Sequence, residues 1–210
     1  MIMGSKLFRL ASVAAGLAAV FLVLQTPTLA SAGVQATAAM TGTQTSVPYG
    51  WVDFCQRYDG ECAGPRLPAV NLALTPKRMR DIKQVNRWVN SHIIAVSDFD
   101  HWGVADRWDY PIDGKGDCED YALLKRKMLM ELGVPRQALL MTVVKDGNDD
   151  GHAILSIKTD QGDFVLDNLN DEVKPWNAAT YRFVKRQSQE DPNVWVAIAP
   201  AQLALRAPNK

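Results

Sequence analysis

After Gly133 the spacing of apolar residues changes from steps of three and four to steps of two, and that change limits the folds open to this chain. Before it, Met79, Ile82, Val85, Val89 and Ile93 fall on one face of a helix. Thr75 stands at its N-cap and Pro76 at its first turn, and the pattern ends near Ile94. A second helix opens at Asp117, where Asp117 and Asp120 have the spacing of a capping box, and closes at Gly133 and Pro135. Tyr121, Leu124, Met128 and Leu132 make its apolar stripe, which leaves Lys125, Arg126 and Lys127 expected in solvent. After it come short alternating runs: 138–144, then the turn "KDGNDDG", 152–159, the turn "DQG", 163–167, and later 194–199. Helices first and an antiparallel sheet afterwards is an α+β layout.

The first 32 residues stand apart from this. Lys6 and Arg9 precede an uncharged apolar run from Leu10 to Leu24, and Ala30-Ser31-Ala32 gives a small-x-small cleavage pattern. The run is shorter than the ~20 residues a membrane span needs. It reads as a secretory signal peptide, and the mature protein is expected in the periplasm or secreted. Removing 32 of the 210 residues leaves 178, enough for one domain. The removed segment takes two basic residues and no acid from a chain with 23 of each, so the net charge becomes −2. A chain of that charge lacks the basic surface a nucleic-acid partner needs. Residues 33–47 carry no charge and little bulk and read as a flexible lead-in, with the domain proper over 48–210.

Three cysteines are an odd number for an exported protein. Cys55 and Cys62 flank a Tyr-Asp-Gly turn and can close a small disulfide loop. Cys118 is then the free one, either a small buried helix residue or a thiol in use. It lies among Asp117, Glu119 and Asp120, whose charges oppose a thiolate. A helix N-terminus and a protonated histidine would favour one. His152 opens one strand and Asp167 closes the next, so an antiparallel hairpin puts them at the same end. If the helix start meets that end, the chain presents a thiol, a base and an orienting acid. His92 reads as a partly buried packing residue on the first helix and His101 as a candidate for lining a groove, while Trp102, Trp108 and Tyr110 either line a surface or groove wall or pin their loop to the core. The chain has no HExxH or CxxC, so zinc catalysis has no support.

The stretches "HWGVADRWDYP", "GKGDCEDYALLK", "GHAIL" and "FVLDNL" resemble the bacterial transglutaminase-like cysteine proteinases over roughly residues 51–195. The resemblance implies a papain-like fold, with Cys118 as nucleophile, His152 as general base and acid, and Asp167 as the orienting residue. It implies a protein substrate at the cell surface or in the periplasm, and an inner-membrane regulatory receptor as a partner. In the branch that holds a periplasmic biofilm protease, the acids flanking the nucleophile are implicated in calcium binding; Asp117 and Glu119 occupy those places. The loop "RWDYPIDGKG" and the Cys55, Cys62 pair depart from that branch, so the thiol chemistry is what carries over. The expected activity is an exported cysteine peptidase working through an acyl-enzyme. The alternatives are a transglutaminase-type acyl transferase, which shares the triad, and a non-catalytic peptide-binding module.

Overall fold

The computed structural model describes residues 36–199, and the expected signal peptide lies outside them. In chain order the elements are β1 (Thr41–Thr45), α1 (Tyr49–Arg57), α2 (Asp59–Cys62), α3 (Pro76–His92), β2 (Ile94–Ala95), α4 (Asp98–Trp102), β3 (Lys115–Gly116), α5 (Cys118–Glu131), β4 (Leu139–Lys145), β5 (Gly151–Thr159), β6 (Gly162–Asp167), β7 (Asn170–Pro175), β8 (Arg182–Gln187) and β9 (Trp195–Ile198). Seven strands form one sheet in the order β1-β9-β8-β4-β5-β6-β7, with every neighbouring pair antiparallel. β2 and β3 pair apart from it, in parallel. The architecture is α+β, with α3 and α5 packed together over the sheet.

α3 starts as its sequence dictates. Thr75 accepts the Arg78 N–H on its hydroxyl at 3.2 Å, Pro76 follows, and Ile82, Val85 and Val89 are buried. The disulfide between Cys55 and Cys62 forms, with Cα atoms 5.5 Å apart, and ties α1 to α2. Trp51, Phe54 and Trp195 join the same core fully buried.

Two expectations are corrected. The lead-in over 33–47 contains β1, which pairs with β9 from Thr41↔Ile198 to Thr45↔Trp195. Its residues are mostly exposed, so the strand is held by main-chain hydrogen bonds and leaves little apolar trace in the sequence. A buried ionic cluster helps to fix the segment that leads into it. Asp163 accepts from Lys158 (2.8 Å), from Arg186 (2.9 Å) and from the Ala39 N–H (2.9 Å). The second correction concerns α5. Lys125 and Arg126 are not in solvent; they are 0% and 1% exposed. α5 is covered by β5 on one side and α3 on another, so little of it faces water. Arg126 pairs with Glu61 at 3.2 Å and lies over Trp51. Among the described residues Lys125 Nζ makes no hydrogen bond, and burial pulls its pKa down to about 7 although Asp167 and Asp171 act the other way.

Candidate active site

The turn before α5 is built from glycines for steric reasons. Gly114 has φ +81°, a backbone region side chains rarely enter. A Cβ on Gly116 would stand 2.5 Å from Asp120 Oδ2, so only glycine lets the chain pass that close. The capping box forms, with Asp120 Oδ2 accepting the Asp117 N–H at 3.3 Å. Asp117 also turns outward from the helix: its Oδ2 accepts the Asp98 N–H at 3.2 Å, and its Oδ1 is buried with no hydrogen-bond partner among the described residues.

Cys118 is therefore the first residue of α5, half-buried, with its Sγ against β5. The sulfur accepts the Ala153 N–H at 3.3 Å and donates to Glu119 Oε2 at 3.1 Å. His152, one residue before Ala153, hydrogen-bonds Asp167 Oδ1 through Nε2 at 2.9 Å. With Nε2 so committed, Nδ1 is the nitrogen left for the thiol. Cys118 and His152 both line an open cavity of about 440 Å³, walled by Tyr49, Trp108 and Lys185. A second groove of about 450 Å³ lies against the disulfide and carries none of these reactive groups. The structure thus brings Cys118, His152 and Asp167 to one end of the sheet.

Asp167 also accepts the Leu169 N–H on Oδ1 at 3.0 Å and the Tyr181 hydroxyl on Oδ2 at 2.6 Å. Burial alone would raise its pKa, but these donors and His152 outweigh it and hold the carboxyl below the usual carboxylate range. The thiol goes the other way. Burial, then the Glu119 charge and hydrogen bond, push Cys118 well above an ordinary thiol. Against them the Ala153 N–H acts in the other direction, and it does not outweigh them.

Those acids are more numerous than the sequence spacing suggested. Asp98 and Asp106 join Asp117, Glu119 and Asp120, with carboxylate oxygens in two sets within 4.8 Å of one another: Asp98, Asp106 and Glu119, and Asp98, Asp117 and Asp120. Among the described residues no lysine or arginine side chain pairs with any of the five. Burial, and next to it the Asp117 charge, push Glu119 up to about 10. Burial likewise lifts Asp120 to about 8 and raises Asp98. Asp120 is spoken for by two main-chain N–H groups, from Asp109 (2.7 Å) and Asp117. Asp98, Asp106, Asp117 and Glu119 each accept a hydrogen bond as well, but Asp117 Oδ1 is buried with no hydrogen-bond partner among the described residues, and as a hard oxygen donor it fits a cation. Asp98 and Asp106 lie upstream on a separate segment; Asp106 falls within the stretch "HWGVADRWDYP", but nothing in its spacing marks either residue as a cation ligand.

The remaining candidates lie elsewhere. His101 pairs with Asp113 at 2.9 Å and does not line the cavity. His92 is exposed rather than partly buried and stacks on Trp88. Trp108 lines the cavity, with its indole N–H given to Asp106 at 2.9 Å.

The bacterial transglutaminase-like cysteine proteinase (BTLCP) family model matches residues 41–202. The chain belongs to this family. Its matched region begins at β1. Among solved structures, the chain is similar to Legionella pneumophila LapG in a calcium-bound form, at 25% identity and a TM-score of 0.49, over 60% of this chain and 71% of that one. An EGTA-treated form of Legionella pneumophila LapG matches at 23% identity and a TM-score of 0.49, over 62% and 75%. No curated protein matches the chain.

Proposed function

We propose that this member of the family is an exported cysteine peptidase that cleaves a peptide bond of a periplasmic or cell-surface protein. The observation that carries the reading is the shared cavity. Cys118 and His152 line it together, and His152 is held from behind by Asp167. The apolar segment at the N-terminus, with its small-residue cleavage pattern, supports export.

The resting sulfur is a thiol, so His152 acts first as a base. Nδ1 takes the thiol proton as sulfur attacks the substrate carbonyl, and Asp167 stabilises the imidazolium. The Cys118 N–H, one of the donors a helix leaves free in its first turn, faces the developing oxyanion. The imidazolium then protonates the leaving amine, which departs and leaves a thioester. Water, deprotonated by His152, attacks the thioester and releases the acid and the thiol.

Asp98, Asp106, Asp117 and Glu119 would hold a calcium ion, which takes six to eight oxygens. Bound there, it would supply the positive charge that the buried acids lack and relieve their opposition to the thiolate. The test compares exported proteins from cells carrying the wild type with those carrying Cys118→Ala. New protein N-termini that appear only with the wild type are the expected result; identical N-termini in both would overturn the reading.

A further inference from the structure

The Asp167 carboxylate is held from two sides of the sheet. Its Oδ1 receives His152 from β5 and the Leu169 N–H from the turn after β6. Its Oδ2 receives only the Tyr181 hydroxyl, at 2.6 Å, among the described residues. Tyr181 belongs to neither strand; it precedes β8, which β4 separates from β5. Its ring also stands 5.4 Å from the His152 ring, tilted 44°. His152 and Asp167 side chains are only 9% and 7% exposed, and Tyr181 is part of what covers them. Without Tyr181, a buried carboxylate oxygen would have no donor, and the two oxygens of Asp167 would compete for His152.

We propose that Tyr181 is a positioning residue of the site: its hydroxyl fixes the Asp167 carboxylate so that Oδ1 meets His152 Nε2, and its ring keeps water from that hydrogen bond. The inference rests on the Cys118, His152, Asp167 reading above. The charged and titratable groups facing Asp167 are His152, Tyr181 and, from α5, Lys125; Asp146 and Cys118 act on Tyr181 in turn.

The test needs no substrate, because Cys118 is the single free thiol of the chain. Its labelling by iodoacetamide is followed against pH in the wild type, His152→Ala, Asp167→Asn, Tyr181→Phe and the Asp167→Asn/Tyr181→Phe double variant. Tyr181→Phe keeps the ring and loses one hydrogen bond to a charged group, so labelling at pH 7 is expected to slow roughly 10-fold. In the Asp167→Asn background the same change should add nothing, as expected of a residue that works through Asp167. Tyr181→Leu, which also removes the hydroxyl, provides the same comparison should the Phe variant not fold. Wild-type labelling by Tyr181→Phe, with His152→Ala and Asp167→Asn both slow, overturns the role of Tyr181 and leaves the triad standing. Equal slowing in the Asp167→Asn background overturns it too. If His152→Ala and Asp167→Asn also label like the wild type, the triad itself fails.

Discussion

Replacing Glu119 with glutamine should make the metal-free protein more stable, by an amount that depends on pH. Glu119 is 6% exposed, and its pKa is raised from 4.5 to about 10. A carboxyl raised in the folded state contributes stability in full below its unfolded pKa and loses it as pH rises toward the folded one. From 4.5 to pH 7 is 2.5 pH units at about 1.36 kcal/mol each, so the group costs roughly 3 kcal/mol at pH 7. Glutamine has nearly the same shape and no charge to bury. Urea unfolding of chelator-treated wild type and Glu119→Gln between pH 4 and 9 measures the gap. It should vanish near pH 4.5 and widen by about 1.4 kcal/mol per pH unit up to pH 9. Added calcium should reverse the order, since the wild type would gain a ligand bound only to its folded state and the variant would have lost a donor. A gap that stays constant across this range would refute the reasoning, because it would mean that Glu119 ionises normally.

Asp167→Asn should lower turnover roughly 10²–10⁴-fold with the fold intact, by analogy with serine triads, read from kcat on a cleavable protein substrate. Calorimetric titration of chelator-treated protein should show calcium binding that Asp98→Asn weakens; no heat at millimolar calcium would leave the acids as helix caps. Lys125→Met should raise the melting temperature at pH 7, because a buried ammonium without a hydrogen bond is replaced by a side chain of similar length; about 1–4 kcal/mol is the scale of such changes. Thr75→Ala should cost about 1 kcal/mol in urea unfolding by removing the α3 cap.

What the sequence disclosed follows from the range of the interactions involved. The α3 cap, the capping box at Asp117 and the disulfide are contacts over three to seven residues, and each was legible. The strands β4, β5 and β6 announced themselves by alternation, and the tight turn between β5 and β6 put His152 near Asp167. β1 was hidden because "TGTQT" is held through its main chain. β8 was hidden because "RFVKRQ" reads as a charged surface, whereas Arg186 is buried on Asp163. The burial of Lys125 and Arg126 depends on α3 and β5 packing against α5 and on Glu61 and Trp51 reaching Arg126, which periodicity within α5 cannot express. Asp98 and Tyr181 reach the site from segments with no pattern of their own, and Asp106 from a family-like stretch that does not mark it as a ligand. Their roles become visible only when the chain is folded.

The pairing of β1 with β9 has a consequence for the order in which the molecule can assemble. The two strands are some 150 residues apart, whereas the β4–β5–β6 meander is made of near neighbours. Contacts between neighbours form early, and those that close long loops form late. A chain that emerges N-terminus first, from a ribosome or through a membrane pore, exposes β1 long before its partner exists. When residue 181 is out, Cys118, His152, Asp167 and Tyr181 are all present, yet the sheet still ends at an open edge. Trp195, fully buried among the aromatics of the core, arrives with the strand that closes it. The arrival of β9, and not that of the site residues, therefore times the completion of the fold.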